Sequence, residues 1–136
     1  MIPRGPRRRY RDPMLRFLIP ALLPLPALTV LTAPPALADP PVLEHVTAQR
    51  SAGSWRFDVT LSHPDTGWDH YADGWRVLDM DGTELGLRVL AHPHVNEQPF
   101  TRSLSGVTIP RGTTRVQIQA RCLQDGWGTP ITVDLP

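Results

Sequence analysis

The sequence predicts an all-β domain, a seven-stranded antiparallel sandwich, behind an N-terminal signal peptide. Three observations lead there. After residue 38 apolar and polar residues alternate at period two, and no stretch sustains a helical period. Turn-forming Gly, Pro and Asp residues interrupt that alternation at short intervals. The charge also divides the chain. Residues 1–38 hold six of the 14 arginines and one acid, a net +5, whereas residues 39–136 hold eight arginines and 12 acids, a net −4. The formal charge of +1 for 136 residues therefore describes neither part.

The strands follow in order. The first is Val42–Arg50. The second is the clearest, because in Trp55–Leu61 the apolar residues take every odd position. The third, Asp73–Met80, carries Trp75 and Val77, and Asp81-Gly82 turns the chain into the fourth, Glu84–Ala91. That strand is expected to set Leu85, Leu87 and Val89 on one face. The fifth lies within Phe100–Ile109 and ends at Pro110-Arg111-Gly112. In the sixth, Thr114–Cys122, Val116, Ile118, Ala120 and Cys122 point inward. The seventh is Ile131–Leu135. Seven short strands so spaced read as an immunoglobulin-like or fibronectin type III-like sandwich.

The leader reads as a secretory signal. Phe17–Ala38 carries no charge, arginines precede it, and Ala36-Leu37-Ala38 offers the small residues a signal peptidase needs. Cleavage is expected after Ala38, with Met14 an alternative start. Arg7-Arg8-Arg9 lacks the apolar residues that usually follow a twin-arginine pair. Pro20, Pro24, Pro26, Pro34 and Pro35 weaken the alternative of a retained helical anchor. No cysteine follows the apolar run, which argues against a lipoprotein. The expectation is an exported protein, periplasmic or secreted, that meets the membrane only transiently. The one cysteine, Cys122, cannot form an internal disulfide, so residues 39–136 must be held by their core.

The stretch Val107–Ala120 resembles the corner between the fifth and sixth strands of fibronectin type III domains. Arg115 stands about where their corner tyrosine would be, so the usual corner hydrogen bond is not implied. The segments Gly67–Val77 and His92–Leu104 are similar to a family of small exported bacterial proteins with no known activity. That resemblance implies export and no particular chemistry.

If successive strands alternate in direction, the second-to-third, fourth-to-fifth and sixth-to-seventh connections share one end. These hold four of the five histidines, His63, His70, His92 and His94, and two of the four tryptophans, Trp68 and Trp127. The opposite end has only plain turns. Loops on a rigid scaffold are where binding surfaces usually sit. The leading expectation is a non-catalytic binding protein for a polar small molecule, a glycan or a partner protein. Trp68, Asp69, Tyr71, Asn96, Glu97, Asp125 and Trp127 would form the surface. The alternative is copper or zinc on His70, His92 and His94, since residues i and i+2 of extended backbone point the same way. His63 and Cys122 are secondary ligand candidates, and the fold itself requires no cofactor. Nucleic acid is excluded by the negative domain. A small hydrolase lacks a nucleophile motif such as G-x-S-x-G, although Asp69 and Glu97 could pair as carboxylates.

Overall fold

The structure, a computed structural model, describes residues 38–136. Residues 1–37 of the expected signal peptide lie outside them. The described residues form strands and no helices. The strands are β1 (Val42–Ser51), β2 (Ser54–Ser62), β3 (Ala72–Leu78), β4 (Glu84–Val89), β5 (Phe100–Val107), β6 (Arg115–Cys122), β7 (Gly126–Trp127) and β8 (Ile131–Asp134).

Every pairing is antiparallel. One sheet has the order β1-β2-β5; the other runs β4-β3-β6-β7, with β8 also on β6. The alternation in β2 decides how they meet. Trp55, Phe57, Val59 and Leu61 are all buried against Trp75 and Val77 of β3 and Val116, Ile118 and Ala120 of β6. Each such large side chain taken from water stabilises by roughly 1.5–3 kcal/mol, so a core without a disulfide can carry the fold.

Two departures from the expected elements have local causes. The first is a bulge in the β3–β4 ladder: Val77 faces Gly86 but Leu78 faces Glu84, leaving Leu85 as the extra residue. Leu85 packs on the core, while Leu87 and Val89, expected on its face, are exposed. Gly86 takes the inward place. A Cβ there would lie 2.9 Å from Leu104 Cδ2 and 3.2 Å from Val107 Cγ2, so any side chain would have to displace those two from the other sheet.

The second departure is in the last strand, which is two pieces. Gly126 and Trp127, expected in a loop, pair with Cys122 and Arg121 as β7. The Gly128 N–H continues the ladder to the Ala120 carbonyl (2.9 Å). Pro130 has no N–H to give, and the chain rejoins β6 only from Ile131, opposite Ile118.

Because all neighbours are antiparallel, the β2–β3, β4–β5 and β6–β7 connections emerge at one end. Cross-loop hydrogen bonds bear this out. The His63 N–H donates to Gln98 Oε1 (3.0 Å), the Leu123 N–H to the Tyr71 carbonyl (3.0 Å), and Gln124 Nε2 to the Asp69 carbonyl (2.9 Å).

Candidate functional site

The site begins where β2 ends. The inward series Trp55, Phe57, Val59, Leu61 continues past the strand to His63 and Asp65, both buried. The side chains of His63 and Asp65 are fully screened from solvent. Asp65 survives burial as an acceptor because three donors reach it. His63 Nδ1 and the Ala72 N–H meet its Oδ1 (2.6 and 2.9 Å), and the His94 N–H meets Oδ2 (2.7 Å). One carboxylate thus ties the β2–β3 loop, the start of β3 and the β4–β5 loop together.

That arrangement fixes the tautomer of His63. With its Nδ1–H given to Asp65, the ring presents a lone pair at Nε2, and this buried atom has no hydrogen-bond partner. An unsatisfied buried acceptor costs about 1–3 kcal/mol. The His70 ring lies edge-on, 4.7 Å away between centroids. Cys122, fully buried at the end of β6 and paired with Ala72 of β3 and Gly126 of β7, is the third member. One donor atom from each of His63, His70 and Cys122 lies within 4.8 Å of the others.

The order Asp65, His63, Cys122 has the look of a nucleophilic relay, but the thiol is in the wrong environment. Burial, above all, pushes the Cys122 pKa up, against the backbone N–H groups of Asp125 and Gln124, which pull it down. A nucleophilic cysteine needs the opposite.

His92 and His94 stand apart from this cluster. Their rings are 4.6 Å apart, but His94 is committed to the fold. It stacks on Phe100 at 3.8 Å, and its Nε2 accepts from Arg102 Nη2 (3.0 Å). Burial first, then the charges of Arg102 and His92, hold the His94 pKa below the usual histidine value. Arg102 also pairs with Glu97 (3.3 Å), an exposed contact of less than about 1 kcal/mol. The four histidines therefore divide into two pairs. Among the described residues, three converging His, Cys or acidic donors occur at His63, His70 and Cys122, not at His70, His92 and His94.

The rim residues are arranged as follows. A turn closed by the Thr66 N–H to the His70 carbonyl (3.0 Å) and the His70 N–H to the Gly67 carbonyl (3.2 Å) carries Trp68 and Asp69 at its tip. Trp68 is 67% exposed, with Tyr71 edge-on at 5.9 Å. Asn96 and Glu97 are exposed on the neighbouring loop. Asp125 Oδ2 accepts from the Asp39 N–H (3.2 Å) and lies 3.8 Å from His70 Nε2. Trp127 differs from Trp68. It sits in β7 with the Arg76 and Arg121 guanidiniums 3.9 and 5.0 Å from its ring centre.

Asp65 and Gln98 hold the loops of this end together, and neither is among the site residues expected from the sequence. Gln98 bridges two of the loops, its Nε2 donating to the His94 carbonyl (3.0 Å) while its Oε1 accepts from His63. A signal for Asp65 existed: the odd-numbered parity of β2 carries on through residues 63 and 65. A hollow of about 260 Å³ lies beside His63, lined by Asp39, Pro40, Val42, Ser62, Pro64 and Gln98. A larger one, about 500 Å³, is at the opposite end near Arg50, Trp55 and Arg111, where no histidine, cysteine or carboxylate lines it.

No family model and no solved structure matches the chain. A protein of Halomicrobium mukohataei named "Putative lipoprotein" is 43% identical to it over 84 residues, which is 61% of this chain and 41% of that protein. The alignment spans less than half of the relative's length.

Proposed function

We propose that the chain is an exported, non-catalytic domain of the immunoglobulin-like, fibronectin type III-like class that binds a polar ligand at its loop end. The observation that carries this is Trp68. An indole is normally drawn into the core, yet this one is held out at 67% exposure on a hydrogen-bonded turn anchored through Asp65. Its flat face suits a sugar ring or an organic cation. Tyr71 backs the indole, and Asp69, Asn96, Glu97 and Asp125, on the loops of the same end, supply acceptors and an amide. Trp127, against two guanidiniums on β7, is left out of that surface.

The fold assignment is supported by the division of strands. The first, second and fifth share one sheet, and the third, fourth, sixth and last the other. The fourth strand pairs with the third, whereas the constant-type immunoglobulin arrangement places it in the first sheet. Export is supported by the apolar leader and by the name of the Halomicrobium protein. Lipid attachment is not carried over, because the one cysteine of the sequence is Cys122, buried in β6.

The test is tryptophan fluorescence of the protein against neutral and acidic oligosaccharides, amino sugars and quaternary amines. A saturable change is expected with at least one class, and Trp68→Ala should weaken it tenfold or more, about 1.4 kcal/mol. Equal affinity in Trp68→Ala, or no change with any probe, would overturn the proposal.

A further inference from the structure

We propose that His63, His70 and Cys122 form a site for one transition-metal ion of the zinc and copper class. The site deepens the loop-end reading by naming a second, inorganic ligand there, and it rests on that reading only in sharing the same end of the domain.

Two independent observations meet at this point. The donors converge: one nitrogen from each imidazole and the thiol sulfur lie within 4.8 Å of one another. Separately, His63 Nε2 is buried and has no hydrogen-bond partner, while the ring's other nitrogen is held by Asp65. The carboxylate behind it strengthens the case. Asp65 holds the far nitrogen of His63 at 2.6 Å, which orients the ring, as second-layer carboxylates do for metal-bound histidines. Asp65 itself is locked by two backbone N–H groups, so the ring is preorganised before any ion arrives.

The chemistry of the donor set selects the ion. Two imidazoles and one thiolate suit zinc and copper and offer nothing to magnesium or calcium, which take oxygen ligands. Binding forms two metal–nitrogen bonds and one metal–sulfur bond. The two imidazoles enter neutral, and the Cys122 thiol releases its one proton to solvent. A tetrahedral ion with bonds of about 2.0–2.3 Å places its donors about 3.3–3.7 Å apart, so the cluster must contract by roughly 1 Å. His70 can supply that movement. Its side chain is 19% exposed, on the turn that also carries Trp68, whereas His63 and Cys122 are fixed in the interior. Three protein ligands leave a fourth position for water or an external donor, beside Asp125.

The experiment uses the reduced, anaerobic protein. Cobalt(II) titration should produce a thiolate-to-cobalt charge-transfer band together with the intense visible bands of a four-coordinate ion. Zinc should bind one per chain by calorimetry, with proton release that varies with buffer. Copper(I), introduced against a chromophoric chelator, then separates the two metals. Cys122→Ser, close in size, should abolish the charge-transfer band. His70→Gln, a partly exposed position that should leave folding intact, should weaken zinc at least tenfold, and His92→Gln should leave zinc affinity unchanged. A cobalt complex without the thiolate band, zinc affinity unaltered in both Cys122→Ser and His70→Gln, or loss of binding in His92→Gln would each overturn the site. Trp68→Ala should keep the metal and Cys122→Ser should keep the organic ligand, so the two proposals fail separately.

Discussion

A single buried carboxylate organises the end of the molecule where the chemistry lies. Asp65 accepts three hydrogen bonds from donors on three segments, so its replacement by asparagine exchanges an acceptor oxygen for an N–H₂ that must face at least one of them. Asp65→Asn is expected to cost about 2–4 kcal/mol, read as a lower urea midpoint with an unchanged slope. His94 has its own signature. It is faced by Arg102, His92, Glu97, Asp65 and the Phe100 ring, and its folded pKa lies below the unfolded value near 6.5. The unfolded chain therefore takes up the proton first. Stability from this group is complete above about pH 6.5 and declines as the pH falls through the folded pKa. Urea midpoints measured between neutral and mildly acidic pH should fall, and His94→Gln should flatten that slope. At this scale the sequence was half legible. Two tryptophans that each follow a glycine, Trp68 and Trp127, look alike in the chain, and only the pairing of β7 sets them apart. Asp65 was visible as a continuation of the β2 parity, but the apolar run that advertises a strand stops at Leu61.

Among the elements, those with one face in the core were read well, because alternation reports that face directly. β2 and β6 are the examples, and their inward residues are the ones expected. The fourth strand was not. Leu85, Leu87 and Val89 share a parity, and a single extra residue in the ladder turns two of the three outward, a change that composition does not announce. The β1–β2 turn carries a residue-level cost that an element must bear. Ala52 and Gly53 both have positive φ, +49° and +84°, the geometry of a two-residue hairpin turn that favours Asn-Gly. An alanine in that region costs about 1 kcal/mol. Ala52→Asn should therefore stabilise the domain by about 0.5–1 kcal/mol, seen as a rise in thermal midpoint with the site unaffected.

For the whole molecule, the asymmetry between its ends is what strand parity made readable: alternating directions require three loops to share one end, and their cross-loop hydrogen bonds follow. Which histidines meet was not readable, because parity places a loop and does not orient a ring. The break in the last strand has a further consequence for how this end behaves over time. On the edge of β6 away from β3, β8 holds Arg115–Ile118 and β7 holds Arg121 and Cys122, and Pro130 interrupts the ladder between them. Peeling of β8 from β6 therefore meets a gap before it reaches the cysteine. Hydrogen exchange should show the β8 amides opening in small local excursions, while the Gly126 amide and those of Cys122 and Ala72 exchange only with larger units. β8 can open without loosening the interior group at the opposite tip of β6, so strain applied through β8 should leave that group undisturbed.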